Sequence, residues 1–576
     1  MTDAASSAPP PDKPRRSLFA ALAVFGERRV AIMLGLGFAA GLPNFLIFDT
    51  MSAWLRAAGL SLAVISLFSL ATLPYSFKFL WAPLVDRTAI PGLTRWLGHR
   101  RSWMIVAQAG VIASLLLIST GDPARDLRMM AVFAVAAGFC SATQDIVVDA
   151  WRIEAADVSR QGAMAAAYQW GYRVANIVAG AAPLFLADRI GWRPAYALMA
   201  AIMALGPLCV LGAPREAEHR IRPVHTDGVP ARPVLDVAEW LARLALMVLA
   251  AALLGSGLGA RADLLAGVLR ALGDPTGADA LAKAWTAKPN GIWLQLVAVL
   301  AGFGVIVLAA MPIPRLKTRP GVYLFHALGD PLADFFNRFG RAAFLILALI
   351  CLYRVSDFVL NIMNAFYQDL GFTLTQIAEV RKVFGVAASM GGVFIGGLSV
   401  ARLGVMRSLV IGAFALPITN TIFGWLAIQG PSVPALLTAI GIDNVVSSYA
   451  GTCLIAYMSS LTSAGFTATQ YALFSSLYSL PGKLIASQSG RIVESAAQSA
   501  EGNGPLAPLR ALFAATPKEA FASALAKSHV DPSALGAGYV VFFLYSGVVG
   551  IAAMVLALLV ARYTPPAEAA REEATV

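Results

Sequence analysis

Charge is scarce in this chain. Asp, Glu, Lys and Arg make up 13% of its 576 residues, whereas 58% are hydrophobic; a soluble domain carries about a quarter charged residues, so that class is excluded. Acids are scarcer than bases, 33 against 44, giving a formal net charge of +11. The excess sits in short basic loops, such as Arg28 with Arg29, Arg95 with Arg100 and Arg101, and Arg315 with Lys317 and Arg319. Between apolar runs such loops read as positive-inside topology signals, not as a nucleic-acid surface. Cysteine is rare too. Cys140, Cys209, Cys351 and Cys453 all fall in apolar runs, which implies neither a disulfide framework nor a metal cluster. The five histidines, His99, His219, His225, His326 and His529, all fall outside those runs, so a proton relay through them must use carboxylates. HExxH, CxxC and phosphate-loop patterns are missing, and the glycines between Gly255 and Gly259 lie inside an apolar run rather than after a strand. No catalytic residue, metal or cofactor is expected.

What the chain has in abundance is apolar runs of membrane-spanning length, with a mean hydropathy of +0.69. Helices are expected near 30–54, 61–85, 103–120, 127–151, 163–187 and 194–213, and again near 343–367, 374–400, 407–428, 433–458, 467–494 and 539–562. Two further runs, 236–259 and 291–313, return the chain to its starting side and read as an inserted hairpin, for fourteen helices in an all-α polytopic membrane protein. The expected domains are a cytoplasmic tail (1–29), a first six-helix half (30–213), linkers with the hairpin (214–342), a second half (343–562) with a long outer loop (495–538), and a cytoplasmic tail (563–576). Loops 86–102, 214–233, 314–341 and 401–407 then face the cytoplasm together with both termini, and no cleavable leader is expected before the first span.

An internal repeat supports the two halves. MSAWLRAAGLSL from Met51 lies on MNAFYQDLGFTL from Met363 without a gap, and Trp54 falls on Phe366. A second echo sets KFLWAPLVDR and GHRRSW (Gly98–Trp103) against GGLSVARLGVMRS (Gly396–Ser408). Two parallel six-helix halves, with a Gly, Asp, Arg and further basic residues between helices two and three, resemble the major facilitator fold, in which substrate is held at mid-membrane between the halves. The pattern departs from that signature in two places: Thr88–Leu97 separates Asp86 and Arg87 from Gly98, and Ala401 stands where the second copy would carry an acid. More specifically, GFAAGLP (Gly37–Pro43), KFLWAPLVDR, ATQDIVVDAW (Ala142–Trp151), LYRVSD (Leu352–Asp357) and FTATQYAL (Phe466–Leu473) resemble the AmpG-type muropeptide permeases over about residues 30–215 and 340–495. The resemblance implies proton-driven import of anhydro-muropeptides (GlcNAc-anhydroMurNAc peptides) from periplasm to cytoplasm for peptidoglycan recycling, and with it β-lactamase induction. It implies a monomer in the inner membrane of a Gram-negative bacterium, whose partners are the muropeptide, protons and the lipid bilayer. An acetyl-CoA or other anionic-solute carrier of the superfamily and a polytopic enzyme acting on lipid-linked sugars are the other readings.

Charge inside a span is costly and marks a pathway or an internal pair. At about 1.5 Å per residue, Arg354 lies roughly 17 Å into its helix and Tyr172 and Arg173 roughly 14 Å into theirs, near the midplane. Arg354, Asp357, Asn361 and Asn364 share one helical face, and Gln169, Arg173 and Asn176 share another. One such stripe in each half is expected to wall a substrate cavity, with Gln470 and Lys483, which follows a Pro481-Gly482 break, as further binding candidates. The alternative is a buried Arg354–Asp357 pair that only aligns helices. Asp145, Asp149 and Arg152 fall at i, i+4 and i+7 on one face near Asp86, Arg87, Arg100 and Arg101, where the resemblance implies an ion-pair latch. Gating by this group and direct proton carriage by Asp145 are both open, and Glu154 reads as a solvated helix-end charge. Lys382 resembles a lysine of the family and lies roughly 12 Å into helix eight, at a depth like that of Asp443 in helix ten. A Lys382–Asp443 pair broken by protonation would serve for proton coupling, as would Asp357 beside Arg354; the alternative is a snorkelling Lys382 and an outer-edge Asp443. Tyr168, Tyr172, Tyr449, Tyr457, Tyr471 and Tyr478 suit a sugar ring or ordinary packing.

Overall fold

The computed structural model describes residues 24–563 except 59–73, 76–77, 124, 158–159, 216–228, 259–261, 288–290, 314–316, 360–361, 374–375, 378, 487–488, 503, 523 and 526–528. In the first half α1 (Arg28–Phe45) continues through a π turn (Leu46–Thr50) to Ala57, and α2 (Ala82–Arg87) ends the second span, most of which lies outside the described residues. Then come α3 (His99–Thr120), α4 (Leu127–Glu154) and α5 (Gln161–Ile190), with α6 (Trp192–Met203) and α7 (Leu205–Gly212) forming the sixth span. The insertion holds α8 (Pro233–Leu258), α9 (Asp263–Ala271), α10 (Pro275–Thr286) and α11 (Gly291–Ala310), followed by α12 (Arg319–Phe339). The second half has α13 (Ala342–Leu352), α14 (Val355–Val359), α15 (Met363–Leu370), α16 (Gly385–Leu403), α17 (Val405–Asn420), α18 (Ile422–Gln429), α19 (Val433–Ser460), α20 (Thr467–Ala486), α21 (Ser489–Ala500) and α22 (Pro532–Tyr563).

Among the described residues nine helices are long and apolar enough to cross a membrane, or ten if a bent pair counts as one span. The all-α polytopic plan therefore stands, although this measure does not reach fourteen. The expected span 61–85 lies largely outside the described residues, and the expected helix 343–367 is broken at Tyr353 and Arg354 and again before Met363. Such a break within a span is tolerated where the backbone lines a cavity. Helix α12 was read from sequence as linker. It is instead an amphipathic helix, turned 112° from the span that follows it, the corner being made at Gly340 with φ 51°.

Small residues set the helix contacts in both halves. A Cβ on Gly37 or Gly171 would collide with the carbonyl oxygens of Tyr168 and Leu34 respectively, so α1 and α5 touch backbone to backbone. In the second half Gly392 bears on the Val445 carbonyl in the same way, and a Cβ on Gly396 would lie 2.9 Å from that of Tyr449, which joins α16 to α19. Both pairs, Gly37 with Gly41 and Gly392 with Gly396, have the spacing that lets spans approach closely in lipid, where apolar surface supplies no driving force of its own. We expect Gly37→Leu to destabilise the protein by about 3 kcal/mol, seen as a lowered Tm in detergent, while Gly180→Ala, whose Cβ has only Phe45 at 4.0 Å, leaves Tm unchanged. Equal melting of both variants would show that the contact is not a tight one.

The segment expected as a long outer loop is folded against the second half. α21 packs on α22 through Val493, Ala497 and Gly538, and Asp369 accepts a 2.8 Å hydrogen bond from the Tyr539 hydroxyl. Arg510 and Asp531 close it with a 2.7 Å ion pair. The insertion packs on the first half: Ala250, Leu254, Val299 and Ile306 share a buried cluster with Val85, Met104 and Trp151.

Candidate functional site

The halves share a core at one end only. Ala468 and Ala472 of α20 belong to a cluster otherwise drawn from the first half and the insertion, and Ile153 of α4 belongs to one otherwise drawn from α12 and the second half. The two clusters toward the opposite end each come from a single half.

At the joined end, polar contacts cross between the halves. The Asp86 carboxylate accepts from the backbone N–H of Ala468 (3.2 Å) and Thr469 (2.8 Å) and from the Thr469 hydroxyl (2.7 Å). Those N–H groups belong to the first turn of α20, whose donors have no helical partner, so a carboxylate from the other half caps this helix and meets the positive end of its dipole. Behind it, fully buried Arg100 bonds Asp86 at 2.7 Å and Glu154 at 2.6 Å. Buried Arg152 donates to Ser459 across the interface (2.8 Å), lies 3.3 Å from Asp149, and sits over the Tyr471 ring at 5.2 Å. Lys78 approaches Asp149 from α2's side at 3.9 Å. Deeper in, Gln169 donates to Thr452 (2.9 Å) and the Trp170 indole to the Met390 carbonyl (2.8 Å).

Beyond this seal lie the two polar stripes. Arg354 forks onto one oxygen of Asp357 with Nε (3.0 Å) and Nη2 (2.7 Å), and Ser447 of α19 completes the triad at 2.8 Å to each partner. The other Asp357 oxygen is buried without a hydrogen bond. Facing them, Arg173 has no ion-pair or hydrogen-bond partner among the described residues, yet it is held within electrostatic reach of Arg354. Of these two cations only Arg354 has a carboxylate partner, so Arg173 is the one left to meet an anion. Tyr172 accepts from the Asn44 amide (2.7 Å), and Asn176 keeps a buried carbonyl oxygen free. Asp145 is likewise buried with an unpartnered Oδ1, next to a fully unsatisfied Gln144 amide. Asp443 feels the charges of Asp357, Arg354 and Arg381.

Several expectations change. Gln470 does not offer its amide to a substrate: Nε2 donates to the Pro331 carbonyl and Asp334 (both 2.9 Å), and Oε1 accepts from Ser463 N (2.8 Å) and Arg338 (3.3 Å), so it is spent joining α20 to α12 and to the turn before it. Arg101 donates to the Val210 and Leu211 carbonyls at 3.0 Å each and ties down the end of α7. Glu154 is paired rather than solvated. Asn361 and the side chains of Asn364, Lys382 and Lys483 lie outside the described residues. Sequence reasoning passed over Asn44, Ser447 and Thr452, small polar residues without a charge to betray them, and the whole of α12.

The chain matches the Major Facilitator Superfamily over residues 33–486. A protein named putative transporter AmpG 4 from Rickettsia felis is 28% identical over 473 residues, 82% of this chain and 91% of that protein. The anhydromuropeptide permease of Escherichia coli is 28% identical over 476 residues, 82% of this chain and 76% of that one. Among solved structures, the proton:xylose symporter XylE bound to 6-bromo-6-deoxy-D-glucose has a TM-score of 0.49 at 11% identity, covering 95% of this chain and 96% of the other. The superfamily match runs through both halves, the seal and both stripes, and the chain belongs to the Major Facilitator Superfamily, a transporter and not an enzyme.

Proposed function

We propose that this transporter imports anhydro-muropeptides across the inner membrane, driven by the proton gradient. The observation that carries the reading is the pair of guanidiniums, Arg173 from one half and Arg354 from the other, set in reach of each other with Arg173 unpaired among the described residues. A muropeptide carries peptide carboxylates for such a pair and sugar rings for the tyrosines beside it, Tyr168 and Tyr172, whose rings lie 6.1 Å apart. Similarity to an anhydromuropeptide permease supports the substrate class. With the basic loops in the cytoplasm, the sealed end is the cytoplasmic one and the cavity stands toward the periplasm, ready to load. Rocking of the two six-helix halves, with the hairpin riding on the first, then exposes the stripes to the other side.

Purified protein in liposomes tests this directly. An acidic exterior is expected to drive labelled anhydro-muropeptide into the lumen above its outside concentration, with unlabelled muropeptide competing and acetyl-CoA not. Absence of accumulation, or competition by acetyl-CoA alone, rejects the substrate assignment.

A further inference from the structure

Helix α12 reaches from the insertion to the second half and passes the seal on its way. At its start the Thr318 hydroxyl donates to Glu239 of α8 at 2.8 Å, in a buried knot where Arg243 also bonds Glu239 (2.8 Å) and the Met311 carbonyl (3.0 Å). The rings of Trp240 and Tyr323 add a contact at 5.9 Å. At its far end Asp334 Oδ2 accepts from Ser463 (2.8 Å), Gln470 (2.9 Å) and Arg338 (3.0 Å), and Arg338 also donates to the Leu461 carbonyl (2.9 Å). Midway, Arg87 of the first half donates to the His326 carbonyl at 3.0 Å and meets Asp330 at 3.4 Å.

We propose that α12 is a tie bar for the sealed end, with Asp334 and Asp330 as its positioning residues: it fastens the hairpin, and through it the first half, to the second half while the seal is shut. The hairpin shares its core with the first half, so opening this end stretches α12 between two anchors. The contacts differ in how easily they part. Asp334 is held by three donors from two elements, whereas Asp330 is 39% exposed and has a second partner, His326 Nδ1 at 2.9 Å, to keep when Arg87 leaves. The first turns of α12 also border an open apolar groove of about 860 Å3, lined by Trp81, Leu84, Trp240, Met247, Tyr323 and Leu328 among others and shared with the hairpin and α2.

The test reads conformation and needs no substrate, so its failure would leave the muropeptide reading standing. Spin labels are placed at Trp96→Cys and Arg402→Cys, both exposed and on opposite halves, in a background whose native cysteines are replaced by alanine and which keeps uptake. Pulsed electron–electron resonance then gives the distance distribution. Asp334→Ala releases the second-half anchor of α12, so that opening no longer stretches the helix, and it is expected to raise the share of the longer, open distance roughly tenfold. Thr318→Ala acts in the same direction, and Thr318→Ser, which keeps the hydroxyl, restores the wild-type distribution. Should Asp334→Ala fail to fold, the Thr318 pair decides alone. Distances unchanged in the folded variants overturn the proposal and leave α12 as packing.

Discussion

Arg173→Ala is expected to lower affinity for muropeptide at least about a hundredfold, since a charge-assisted hydrogen bond is worth about 1.5–3 kcal/mol and a carboxylate offers two acceptors to one fork. This is the cleaner of the two arginine tests. Arg173 has no protein partner among the described residues, so its removal strands nothing, whereas Arg354→Ala also leaves Asp357 buried with only Ser447 to hold it. Binding to detergent-solubilised protein by calorimetry measures both, and circular dichroism separates lost binding from lost fold. Asp86→Asn supplies the contrast. It changes a group bonded to Arg100 and to the start of α20 rather than to a residue of the stripes, so binding should stay detectable while the transport cycle slows. Equal loss of binding in all three variants would contradict this division between cavity and seal.

Much of that division was legible before any coordinates, and the reasons differ by residue. Periodicity groups side chains only along an unbroken helix, which serves for Gln169, Arg173 and Asn176 on α5, whereas the break at Tyr353 and Arg354 interrupts the face expected to carry Arg354, Asp357, Asn361 and Asn364. It does not fix which way a face is rotated. Gln470 lies on a helix whose apolar and polar residues alternate too weakly to orient it, and its amide turned out to serve Asp334 and Pro331. Arg101 neighbours Arg100 in sequence, but consecutive helical residues point about 100° apart, which sends one to Asp86 and the other to α7. The missed helix α12 had its signals: Thr318 stands at the cap, accepting from Gly321 N at 3.4 Å, Pro320 follows in the first turn, and Asp334 and Arg338 sit one turn apart. Its basic neighbours drew the eye to a topology marker instead. Glu154 looked solvated because its partner, Arg100, belongs to another helix.

Asp443→Asn is expected to abolish accumulation of muropeptide against a gradient while sparing exchange between equilibrated sides of the membrane. The argument starts from Arg354, which one guanidinium fork must share: it bonds Asp357 at 2.7 Å and acts on Asp443 as well. A substrate carboxylate that takes the fork leaves these aspartates short of a counter-ion, and an uncompensated carboxylate away from water is costly enough that the site is expected to carry a proton instead. Substrate binding and proton binding then favour one another, which by linkage is the requirement for symport. Asp443 is preferred over Asp357 because it makes no ion pair or hydrogen bond among the described residues, whereas Asp357 holds the Arg354 fork and the Ser447 hydroxyl. Arg381 is a cation that acts on Asp443, its guanidinium 5.8 Å from the Tyr367 ring, while the side chain of the expected partner Lys382 lies outside the described residues. Asparagine keeps the shape and removes the proton cycle, so counterflow in liposomes without a pH gradient should proceed at near wild-type rate while acid-driven uptake falls to the level of passive equilibration. A variant that still concentrates substrate fully would clear Asp443 of the role, and the same pair of assays would then be applied to Asp357, and after it to Asp145 with its unpartnered oxygen.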